Sequence, residues 1–138
     1  MGRPVVHFEI MGQDGAALQA FYAALFDWRY DTTAPAGYGL VAAAANGADG
    51  AHGTGIGGGI GGMPGYGGHV TVYVEVPDVD RALDDAERLG GTRVMGPEWV
   101  NDCIEIGQFL DPEGNLVGLV TSHPPAGVEP EKRSGRDI

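Results

Sequence analysis

Apolar and polar positions alternate in the same manner at two places along this chain, and each alternation leads into a helical stripe. Val5 to Ile10 (VVHFEI) sets Val6, Phe8 and Ile10 on one side and His7 and Glu9 on the other, the period of a strand with two unlike faces. Asp14 then fits an N-cap, and Leu18, Phe21, Tyr22 and Leu25 recur at helical spacing, predicting about three turns that lay an apolar face on a sheet. Further on, Val70 to Val76 (VTVYVEV) alternates again and Asp78 fits a second N-cap. Ala82, Leu83, Ala86 and Leu89 form a second stripe, closed by Gly90 and Gly91.

Shorter strands are predicted after each helix. In the first half these are Trp28 to Tyr30, Tyr38 to Ala45 and a short run around Ile56 and Ile60; in the second, Thr92 to Met95, Cys103 to Leu110 and Leu116 to Val120. Asp111-Pro112-Glu113-Gly114-Asn115 makes a tight turn between the last two. Twelve glycines fall among the 22 residues from Gly47 to Gly68, a composition that reads as flexible loop or linker. Gly57, Gly59 and Gly62 formally satisfy G-x-G-x-x-G, but no apolar strand leads in and no helix follows to receive a phosphate. From Ser122 onward the tail is rich in Pro, Glu, Lys and Arg and has no period, so it is expected to be mobile.

The two halves therefore repeat, and superposing Asp14 on Asp78 sets an offset of 64. Phe8 then meets Val72, Ile10 meets Val74, and Leu25 meets Leu89, apolar on apolar. On the other strand face His7 meets Thr71, Glu9 meets Tyr73 and Met11 meets Glu75, the positions a helix does not cover. The reading is one α+β domain over residues 4–121, with modules of about 4–62 and 69–121 and a tail of 122–138.

Composition narrows the partners. At 138 residues the chain is long enough to bury roughly 70% of its unfolded surface, without needing a metal or disulfide staple. Eight Lys and Arg against 19 Asp and Glu give a net charge of -11, which repels nucleic acid and anionic membrane and leaves small neutral or cationic molecules. Cys103 is the single cysteine, so neither an internal disulfide nor a cysteine zinc cage is available. Neither a signal peptide nor a membrane span is legible, and a cytoplasmic protein is expected.

The segments PVVHFEI, AFYAALFDW, VYVEVPDVDRALDDAERLGG and FLDPEGNLVGLV together resemble the vicinal oxygen chelate superfamily of glyoxalases, bleomycin-resistance proteins and extradiol dioxygenases, over about residues 4 to 120. The resemblance implies two βαβββ modules whose mixed sheet curls into a cup, helices outside and ligand inside. Metal-dependent members of that superfamily carry one ligand on the first strand and one on a late strand of each module. Those positions fall here on His7, on the glycine run from Gly55 to Ile60, on Thr71 and on Gly118, so only His7 is a donor. One imidazole does not hold an ion that takes three or four protein ligands. The expectation is therefore no metal and no cofactor, and a small organic molecule bound as bleomycin-resistance proteins bind theirs.

His7, Glu9, Tyr73 and Glu75 are the candidate ligand-binding residues, joined by Cys103 and Glu105 if Cys103 to Phe109 alternates inward. Acidic and aromatic groups in one pocket suit a polar or cationic ligand. The plainer alternatives are a histidine satisfied by Glu9, carboxylates that reach solvent at strand ends, and a Cys103 that is simply a small apolar strand residue. Two rival functions stay open: a metal-dependent lyase, isomerase or dioxygenase pairing His7 with a displaced His69, and a non-catalytic module that forms a homodimer.

Overall fold

A computed structural model describes residues 2–33, 37–42 and 55–123. The expected extension of the Tyr38 strand to Ala45, the glycines before Gly55 and most of the tail lie outside these residues. The fold is mixed α+β, with seven strands and two helices among the described residues. It sorts into two compact units, residues 7–71 and residues 1–6 with 72–138.

The first unit contains strand β1 (Val5–Gly12, from His7 onward), helix α1 (Gly15–Phe26), β2 (Gly39–Val41) and β3 (Gly57–Gly62). Its order is β2-β3-β1, with β3 parallel to β1 and antiparallel to β2. Asp14 caps α1 by accepting a 3.0 Å bond from the Ala17 N–H. The expected strand at Trp28 to Tyr30 reduces to a single bridge between Asp31 and Leu40.

Strand β3 departs most from composition. Its sequence is GGGIGG, yet Gly58 to Gly61 are buried and the strand lies between β1 and β2. Backbone hydrogen bonds need no side chains, and neighbouring rings fill the volume the glycines vacate. A Cβ on Gly58 would run into Phe8, and one on Gly61 would come within 2.8 Å of the Tyr38 ring.

Helix α1 differs from expectation in what it buries. Leu18 and Tyr22 are half-buried, but Phe21 and Leu25 are both 58% exposed, and no residue of the helix is fully buried. GAALQAFYAALF has no charged residue, so its stripe does not by itself choose a face. What fixes the helix is a cluster of rings: Tyr22 stacks on Trp28 at 5.8 Å, and Trp28 lies 5.4 Å from Phe8.

The second unit holds the end of β4 (His69–Glu75, from Val72), α2 (Val79–Arg88), β5 (Thr92–Trp99), β6 (Ile104–Leu110) and β7 (Leu116–Ser122). Its order is β4-β7-β6-β5, with β4 and β7 parallel and the remaining pairs antiparallel. Asp78 caps α2 through the Arg81 N–H, as the repeat requires. Gly90, in the left-handed region at φ 104°, ends the helix. Here the amphipathic pattern holds except at its end, where Leu89 is 70% exposed. Val79 and Leu83 are fully buried against Leu119 and Val76, while Arg93 on β5 reaches Asp80, Asp84 and Glu87 on the outer face.

The repeat extends into strand pairing. Glu9 pairs with Gly59 and its counterpart Tyr73 pairs with Gly118. Likewise Leu40 and Gln108 sit opposite those two glycines. No described helix is long and apolar enough to cross a membrane.

Candidate functional site

Alternation along β1 puts His7, Glu9 and Met11 on one face, level with Gly57, Gly59 and Gly61 of β3. Tyr38 lies two residues before Leu40, the partner of Gly59, and so shares that face. Because Gly59 has no side chain, the Tyr38 ring lies over it; a Cβ there would fall inside the ring. The phenol oxygen thereby reaches both polar groups of β1. It lies 3.2 Å from His7 Nε2 and donates a 3.1 Å bond to Glu9 Oε2.

The phenol has one hydrogen, and Glu9 takes it. His7 Nε2 therefore carries a hydrogen toward the phenol oxygen, giving a chain that runs from His7 through Tyr38 to the Glu9 carboxylate. Burial pushes the imidazole below its ordinary pKa of 6.5, which favours this neutral form. The chain can present a polarised imidazole and a carboxylate to a polar or cationic molecule.

In the second unit the same arrangement recurs with different partners. Tyr73, 4% exposed, lies over Gly118, and Gln108 donates a 2.9 Å bond to its hydroxyl. Glu75 shares the face of Tyr73, level with Val120, and is half-buried. Thr71 is buried and lies in the first unit with His69, whose ring is 5.9 Å from Tyr66.

Cys103 and Glu105 go elsewhere. The register pairs Glu105 with Thr121, Gly107 with Leu119 and Phe109 with Val117, all on the helix side of the sheet, while Ile104, Ile106 and Gln108 share the face of Tyr73. The cause is Gly107, which lies beneath Val79 and Leu83 of α2; a Cβ there would meet them at 2.8 and 2.9 Å. With that residue turned to the helix, strand alternation sends Cys103 and Glu105 the same way, so the inward phase expected for them is shifted by one. Glu105 lies 3.4 Å from His123 Nε2, and the His123 ring packs 4.8 Å from Trp99.

Sequence reasoning missed Tyr38 and Gln108. Signals for both exist: Gln108 is the single polar side chain on its face of β6, and Tyr38 alternates with Leu40 opposite a strand of glycines. Among the described residues no group of three or more His, Cys, Asp or Glu is placed to hold a metal ion.

The model of a glyoxalase-like domain family matches residues 7–120. No curated protein matches the chain in sequence. Among solved structures, a Streptomyces coelicolor methylmalonyl-CoA epimerase variant in complex with 2-nitronate-propionyl-CoA is similar at 19% identity and a TM-score of 0.58, over 88% of this chain and 98% of that one. A glyoxalase/bleomycin resistance protein/dioxygenase superfamily member from Vibrio splendidus 12B01 is similar at 14% identity and 0.57, over 88% and 100%. Methylmalonyl-CoA epimerase from Mycobacterium tuberculosis is similar at 14% identity and 0.50, over 87% and 88%. At these identities the likeness shows a shared fold.

Proposed function

The chain belongs to the glyoxalase-like domain family, within the vicinal oxygen chelate superfamily, and we propose that it is a metal-independent member that binds a small polar or cationic organic molecule. One observation carries the reading: the Tyr38 phenol lies over Gly59 and joins His7 to Glu9. Side chains that would serve as donors are engaged with a tyrosine, and the late-strand positions of both units are glycines covered by aromatic rings. The ligand is held by His7, Tyr38 and Glu9 of the first unit, an imidazole, a phenol and a carboxylate on one strand face. A net charge of -11 favours cations over anions as cargo. Sequestration of the bleomycin-resistance kind requires no chemistry beyond this.

Metal content of tag-free protein, measured by plasma mass spectrometry, and melting temperature with nickel, zinc, manganese or ferrous ions test the first half of the proposal. Substoichiometric metal and no stabilisation are expected. A screen of small organic cations by melting temperature tests the second half, with stabilisation expected for the wild type and its loss in Tyr38→Phe and Glu9→Gln. Stoichiometric metal that disappears in His7→Ala would overturn the proposal in favour of a metal-dependent lyase, isomerase or dioxygenase.

A further inference from the structure

The outward face of α1 is as apolar as its inward face. Ala17, Ala20, Phe21, Ala24 and Leu25 are all exposed and recur at i, i+3, i+4, i+7 and i+8, one continuous stripe along a helix without a charged residue. Phe21 and Leu25 are each 58% exposed, and Phe21 is held edge-on against Tyr22 with ring centroids 5.0 Å apart. The inward side is joined through Tyr22 and Trp28 to Phe8, which alternates with His7 and Glu9 on β1, so the stripe stands apart from the ligand site.

A helix that is apolar all round is ordinarily buried on every side, and chemistry narrows what could bury this one. Its 12 residues rise about 18 Å, short of the roughly 30 Å of a bilayer core. A helix that lies on a lipid surface carries a basic polar face, and α1 has none. Residues 34–36, 43–54 and 124–138 of the chain itself contain no Phe, Tyr, Trp, Leu or Met, and a single Val and a single Ile, too little to pack around Phe21 and Leu25.

A second copy fits. With a net charge of -11 two chains repel each other over most of their surface, and uncharged α1 is where they meet without bringing like charges together. The stripe is also complementary to itself: in an antiparallel pair centred near Phe21, Leu25 of each copy lies opposite Ala17 of the other, large against small, while Ala20 and Ala24 leave room beside the Phe21 ring. Its exposed area, with Phe26 (52% exposed) at the flank, comes to roughly 400–500 Å² per copy, the low end for specific association and the size of a dissociable dimer. We propose that α1 is the self-association surface of this protein, two copies packing these helices antiparallel about a two-fold axis near Phe21.

Sedimentation velocity of the full chain over about 1 to 200 μM, at low and high salt, tests the proposal. A monomer–dimer equilibrium with a dissociation constant on the order of 10 μM is expected. It should tighten as salt rises, because screening removes the repulsion between two acidic chains while the contact has no ion pair to lose. Ala20→Glu and Leu25→Lys, both at exposed positions and checked for folding by circular dichroism, are each expected to weaken the dimer at least about tenfold. Combining Leu25→Lys with Ala17→Glu should recover most of that loss, because the two positions face each other across the antiparallel pair. A monomer at every concentration, which would leave the stripe to a different protein, overturns the proposal. So does a dimer that Ala20→Glu and Leu25→Lys leave unchanged, or one that the paired substitution does not recover.

Discussion

Adding one methyl group at Gly118 tests whether the Tyr73 ring occupies the space that this glycine leaves beside the strand. In Gly118→Ala the new carbon would sit 2.7 Å from Cγ of Tyr73 and closer still to one ring edge. Comfortable carbon contacts are about 3.5–4.0 Å, so the ring must retreat by roughly 1 Å. Tyr73 is 4% exposed and has little free volume to move into, so overpacking should cost about 1–3 kcal/mol. Displacing the ring also breaks the 2.9 Å bond from Gln108, worth about 1 kcal/mol. The sum, about 2–4 kcal/mol, corresponds to a fall in melting temperature of roughly 10 °C for a chain of this length. Urea denaturation of the wild type, Gly118→Ala, Tyr73→Val and the double variant forms the assay. With the ring gone, alanine at 118 should cost under about 1 kcal/mol, since alanine is otherwise the better strand residue. Additive effects of the two substitutions, or a Gly118→Ala variant within about 0.5 kcal/mol of wild type, would refute the reasoning.

The lowered pKa of His7 carries a sign. Between its folded value and 6.5 the unfolded chain binds the extra proton, so stability present above pH 6.5 is lost as pH falls through that window; urea midpoints at a series of pH values should show this slope in the wild type and a reduced one in His7→Gln. The two helices should respond unequally to truncation. Leu83→Ala, at a fully buried position, should cost about 2–5 kcal/mol, whereas Leu25→Ala, 58% exposed, should cost less than about 1 kcal/mol, both read from chemical denaturation.

Much of this protein was legible before any coordinates. Both N-caps, the α2 stripe with its glycine stop, the tight turn at Asp111 and the offset of 64 that superposes the two halves follow from patterns spanning a few residues. Such patterns are local because capping, helical spacing and strand alternation are themselves made by neighbours in sequence. His7 and Glu9 were marked as sharing a face for that reason, and β1 has that alternation.

What only the tertiary structure decided are the relations between distant segments. Tyr38 and His7 are 31 residues apart, and nothing near either one announces the bond between them. The phase of β6 depended on which face α2 covers, and the contact of Gly107 with Val79 and Leu83 turned Glu105 and Cys103 away from Tyr73. A run of glycines became a central strand because rings from elsewhere filled the space it left. An uncharged helix could not say which side it buries. In each case the deciding energy is packing against a partner far along the chain, and a pattern read along the sequence contains no term for it.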